Sequence, residues 1–156
     1  MAEAWAIAAS TAEDSQMRRN VAFASQSIAQ HESPTSSDTV SPGSSSCCHL
    51  REQIAKDFCD EAKLKNAFVE TCEQCFGSSW VWLCYQKDHK RLSFHITRDQ
   101  AAPQDTDSVP LLACDMWEHA YLGFDSIEQY CNSFWRSVNW NFVERNLTSA
   151  LMRPKL

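Results

Sequence analysis

The chain has 156 residues, 44% of them hydrophobic, which suits one domain with a buried core and leaves little room for two. Its 3 Gly and 5 Pro against 6 Trp, 8 Phe and 3 Tyr exclude a collagen-like or wholly disordered polymer, and no apolar run approaches the roughly 20 residues that cross a bilayer. With 14 Lys and Arg against 20 Asp and Glu the net charge is −6, which argues against a broad phosphate-binding surface and so against direct contact with DNA.

The opening MAEAWAIAASTAED carries acids early and reads as neither a cleavable signal nor a good transit peptide, so an intracellular protein is expected. A helix is predicted at 12–30, with Val21 and Ile28 set among Ala residues but few large apolar groups. Residues 33–48, SPTSSDTVSPGSSSCC, are rich in turn formers and poor in apolar surface, and read as a linker. The expected division is an N-terminal helical remnant at 1–32, a Ser-rich linker at 33–48 and an α+β domain at 49–156.

From residue 49 the patterning is strong. Leu50, Ile54 and Phe58 recur at helical spacing, and Leu64, Phe68, Cys72 and Phe76 resume it after a break at Cys59 and Asp60, where Asp60 can cap a second helix. In WVWLCY at 80–85, alternation puts Trp80, Trp82 and Cys84 on one face of a strand and Val81, Leu83 and Tyr85 on the other. QKDHKR at 86–91 turns the chain, and LSFHIT at 92–97 returns it as a hairpin. After a polar stretch at 98–109, VPLLAC makes a third strand that ends on Asp115. Helices follow at 126–137, with Ile127, Tyr130, Phe134 and Trp135, and at 140–151, with Phe142, Val143, Leu147 and Leu151. A small antiparallel sheet with helices before and after it is an α+β fold.

Eight cysteines lie mostly in apolar runs or at helical spacing and read as reduced, small hydrophobes. Cys72 and Cys75 form a C-x-x-C without a second such pair, so a zinc or redox module built on them with Cys47, Cys48 or His49 ranks last among the readings. DMWEHAY at 115–121 carries more chemistry. Asp115 and His119, four positions apart, can meet at one centre, and carboxylate oxygen with imidazole nitrogen suits iron, manganese or zinc. The same spacing also suits a capped helix start or a simple hydrogen-bonded pair. Trp80, Trp82, Trp117, Trp135 and Trp140 would pack a core with or without a metal, and His49, His89 and His95 read as structural or exposed.

Three words in order, FGSSWVWL at 76–83, PLLACDMWEHAY at 110–121 and FWRSVNWNFVERNL at 134–147, resemble the C-terminal domain of iron/manganese superoxide dismutases, and the resemblance runs through about 49–150. It implies a three-stranded antiparallel sheet with flanking helices, and a metal site in which Asp115 and His119 are ligands to one iron or manganese ion per subunit. It implies an apolar shell of Trp80, Trp82 and Trp117, and a Glu118 that bonds a partner subunit's ligand His across a dimer seam. Gln100 falls where some members hold an outer-sphere Gln. AFASQSIAQH at 22–31 resembles the approach to a further ligand, which makes His31 the third candidate, and VSP at 40–42 resembles a later segment. The implied reaction converts superoxide to dioxygen and hydrogen peroxide.

The pattern departs from the family in places. Ala29 and Gln30 replace the usual aromatic and Asn before His31, ESPTSS follows it, Leu122 replaces a Tyr, and no His precedes His31. An incomplete site is therefore expected, in a homodimer or a heterodimer with a related chain. The first-helix ligand is expected either to be lost or to lie in a segment upstream of Met1. The alternative is a non-catalytic interaction subunit of the same fold, for example of a mitochondrial small ribosomal subunit. The mitochondrion is accordingly the first expectation for compartment, ahead of the cytosol or a plastid.

Overall fold

Residues 22–24, 42 and 47–152 are described by a computed structural model. Helix α1, Cys48–Asp57, buries Leu50 and Ile54. Cys59, at φ 72°, then turns the chain through the left-handed region. Helix α2, Glu61–Glu73, opens on Asp60, whose side chain accepts from the Lys63 N–H at 2.8 Å as the spacing predicts. It buries Leu64, Phe68 and Cys72. The expected fourth member of that stripe, Phe76, does not belong to it. The helix stops at Glu73, Gly77 turns the chain at φ 74° toward the sheet, and Phe76 is left 85% exposed.

Strands β1 (Ser79–Gln86), β2 (Arg91–Arg98) and β3 (Ser108–Asp115) form one sheet in the order β2-β1-β3, antiparallel throughout. The hairpin turn is longer than two residues, as expected. A bulge interrupts the β1–β3 pairing: Leu83 opposes Leu112, but Cys84 opposes Pro110, so Leu111 is the extra residue. It lets Leu111 and Leu112 both enter the core, and it seats Pro110 on an edge strand beside an irregularity that tolerates it. A short helix α3 (Glu118–Tyr121) follows, then α4 (Ile127–Ser137), capped by Ser126, and α5 (Trp140–Met152). The chain has the expected α+β architecture. Among the described residues no helix is long and apolar enough to cross a membrane.

The predicted alternation in β1 divides the molecule into two apolar layers. Val81, Leu83 and Tyr85 join the main core with α1, α2, α4 and α5, while Trp80, Trp82 and Cys84 form a second cluster with Ala113 and Ala24 on the opposite face. Phe23 packs there too, 5.9 Å from the Trp82 ring and 5.4 Å from Phe142. Residues 22–24 are helical, consistent with a helix there; the rest of the predicted 12–30 helix and most of the Ser-rich linker lie outside the described residues, and its last residue, Cys48, opens α1. All eight cysteines are reduced thiols, five of them buried.

Helix α1 begins on Cys47, which offers no side-chain cap. Glu144 of α5 supplies one instead: Oε1 accepts from the His49 N–H at 3.2 Å and Oε2 from the Leu50 N–H at 2.7 Å, with His49 Nδ1 at 2.8 Å. A carboxylate here satisfies two orphan donors and meets the positive end of the helix. Glu144→Ala is expected to cost about 0.5–2 kcal/mol in urea unfolding, the range for a lost helix cap, because the exposed His49 N–H and the part-buried Leu50 N–H lose their acceptor; an unchanged midpoint would show that water replaces the cap.

Candidate metal centre

Asp115 is the last residue of β3, paired with Trp80, and one residue later the chain leaves the sheet with the Met116 N–H donating to the Ser79 carbonyl at 3.0 Å. Extended backbone at Trp117 leads into α3, which carries His119. The two residues therefore meet across a strand end and a helical turn rather than on one helix. Asp115 is 3% exposed; its Oδ1 accepts from the Trp117 N–H at 2.8 Å, and its Oδ2 lies 3.2 Å from His119 Nε2. The His119 side chain is 40% exposed. Burial raises the Asp115 carboxyl above its ordinary range, opposed by the Trp117 N–H and by His119.

The other expected residues fall around this pair unevenly. Trp80 and Trp82 are buried with rings 6.1 Å apart, and the half-buried Trp117 ring lies 5.9 Å from that of His119. Trp82 Nε1 donates to Thr97 Oγ1 at 2.8 Å, whereas Trp80 Nε1 and Trp117 Nε1 are buried with no hydrogen-bond partner among the described residues. Glu118 is exposed. Gln100 is exposed in the turn after β2, close in sequence to Ala102, which packs on the tryptophan layer. His31 lies outside the described residues.

The remaining histidines and thiols have structural settings. His49 meets Glu144, His89 sits in the exposed hairpin turn, and His95 bonds Gln86 and Ser93. Hydrogen bonds to Cys114 and Cys131, with burial, raise the Cys72 thiol, and burial pushes Cys84 up to about 11 against a lowering bond from Ser108. These are poor nucleophiles. Cys75 bonds the Thr71 carbonyl at 3.6 Å and Cys47 the Trp140 carbonyl at 3.7 Å.

One partner escaped the sequence reading. The Tyr130 hydroxyl donates to the Asp115 main-chain carbonyl at 2.7 Å. Tyr130 is recognisable in the sequence only as an apolar helix position, and nothing local connects it to a strand end.

The pair fits a metal in its donors. A carboxylate oxygen and an imidazole nitrogen, here 3.2 Å apart, are donor types that would suit iron or manganese. Two ligands do not complete a centre, and among the described residues no group of three His, Cys, Asp or Glu could hold an ion.

Fold and pair together define a class: an α+β domain that offers a carboxylate and an imidazole where its third strand ends. Residues 46–146 match the model for the C-terminal domain of iron/manganese superoxide dismutases, and the chain belongs to that family. An iron superoxide dismutase of Salmonella typhimurium is 38% identical over 102 residues, 64% of this chain and 52% of its own. One of Escherichia coli K12 is 39% identical over 102 residues, with the same 64% and 52% coverage. One of Campylobacter jejuni is 34% identical over 105 residues, 66% of this chain and 48% of its own. The chain thus spans about half the length of these curated relatives.

Proposed function

We propose that the protein disproportionates superoxide at a single iron or manganese ion held by Asp115 and His119, with His31 as a third ligand, within the domain at 49–156. The observation that carries the reading is the buried Asp115 carboxylate held against His119. Burial disfavours its ionised form, an amide of the same shape would pack as well, and a bound cation would offset the cost. When bound, the metal supplies one-electron redox chemistry, so that two superoxide ions and two protons yield dioxygen and hydrogen peroxide.

The chain's own residues prepare that chemistry. The Trp117 N–H fixes Asp115 Oδ1 and so orients the carboxylate, leaving Oδ2 beside His119 Nε2. To bind, His119 must be neutral, with the Nε2 lone pair open and its proton on Nδ1. Trp80, Trp82 and Trp117 exclude water on the sheet side of the pair. Gln100 is assigned to the outer sphere, and the exposed Glu118 and Leu122 to a subunit seam.

Elemental analysis of the purified protein together with a superoxide-consumption assay tests the reading. Bound iron or manganese with activity supports it, and protein free of both and inactive overturns it. Metal-free protein that sediments with ribosomal subunits would support the non-catalytic role instead.

A further inference from the structure

We propose that Tyr130 is a positioning residue that holds the two ligand-bearing segments, the end of β3 and helix α3, in mutual register; this rests on the reading of Asp115 and His119 as ligands. Because Met116 bonds Ser79, the neighbouring Trp80–Asp115 pair is a non-hydrogen-bonded one, and the Asp115 carbonyl faces away from β1. β3 is an edge strand, so among the described residues no further strand takes that carbonyl. The Tyr130 hydroxyl takes it at 2.7 Å and also lies 3.7 Å from Cys114 Sγ.

The ring of the same side chain reaches the other segment. Its centroid is 6.1 Å from that of Tyr121, two residues past His119 on α3, and 5.4 Å from Phe124 just beyond. One residue of α4 thus touches the segments on both sides of Trp117. Fixing the Asp115 carbonyl fixes the peptide plane that leads to Trp117, whose N–H must arrive 2.8 Å from Asp115 Oδ1 for the carboxylate to be held. Without the hydroxyl that plane keeps the Met116 N–H bond to Ser79 at one edge and only a weak 3.9 Å contact from Cys114 Sγ at its carbonyl, so the carboxylate's aim loosens although the ring still packs.

Amide hydrogen exchange and Mn(II) affinity, measured on the full chain, test this. Tyr130→Phe is expected to lower protection of the Trp117 amide about tenfold relative to core amides such as Val143, and to weaken Mn(II) binding about 10–100-fold, the usual range for a group that orients a ligand. Phe134→Leu loosens the same aromatic cluster, 6.4 Å from Tyr130, without touching the hydroxyl, and is expected to lower stability while leaving Mn(II) affinity unchanged. Unchanged Trp117 protection in Tyr130→Phe, or an equal affinity loss in Phe134→Leu, overturns the proposal. Should the Phe variant not fold, 3-fluorotyrosine at position 130, a stronger donor of nearly the same shape, is expected to raise Trp117 protection, and an unchanged or lower value overturns it. A parent protein that binds neither iron nor manganese overturns the proposed function, while the exchange result still decides the role of Tyr130.

Discussion

Replacing Asp115 with Asn is expected to abolish metal retention while leaving the metal-free protein at least as stable as the parent. The amide keeps the shape of the side chain and an oxygen to accept the Trp117 N–H, but it brings no charge. Metal affinity should fall by more than about 100-fold, since losing a group that merely orients a ligand costs about 10–100-fold. Stability moves the other way because burial raises the carboxyl pKa in the folded state. Between the ordinary value and the raised one the native state binds more protons than the unfolded state, so stability falls as pH rises through that window. Below it both states are protonated and the penalty vanishes. Urea unfolding of metal-free parent and Asp115→Asn proteins across acid pH checks the sign: the parent should lose stability with rising pH relative to the variant. A variant less stable than the parent by more than about 1 kcal/mol at neutral pH would mean that the carboxylate supports the metal-free fold.

Phe68→Ala is expected to cost about 3–5 kcal/mol, the range for emptying a buried aromatic site, against a total stability of about 5–15 kcal/mol for a domain. Phe68 is fully buried on α2 and lies 5.3 Å from Trp135, 5.6 Å from Phe134 and 6.0 Å from Phe94. It is the point at which α2, α4 and β2 share one aromatic cluster, so the cavity cannot close by moving a single element. Thermal unfolding followed by circular dichroism measures the loss. A cost under about 1 kcal/mol would show that the cluster collapses into the space. Metal binding by the fraction that remains folded should survive, because Phe68 belongs to the main core and not to the tryptophan layer beside Asp115.

Much of this arrangement is legible in the sequence, for reasons that differ by element. Leu50 and Ile54, then Leu64, Phe68 and Cys72, mark two helices because burial on one face imposes the helical period. Trp80, Trp82 and Cys84 separate from Val81, Leu83 and Tyr85 because a strand between two layers buries both faces. Phe76 shows where periodicity misleads: its spacing continues the stripe, but the helix has already ended and Gly77 redirects the chain. The bulge at Leu111 is likewise invisible to alternation, since one extra residue changes the parity of everything before it.

Local chemistry accounts for what the sequence by itself determined: the α+β class, the two faces of β1, and Asp115 and His119 as the pair to examine. Side-chain period and ligand chemistry act over a few residues and survive without knowledge of the fold. The tertiary structure alone decided which groups hold those elements in place. Glu144 caps a helix whose first residues lie more than ninety positions away, and Tyr130 reaches back from α4 to the carbonyl of Asp115. Hydrogen bonds of this kind join groups that only the folded chain brings within reach. Their partners are set by where a strand ends and a helix crosses it, which no spacing along the chain encodes.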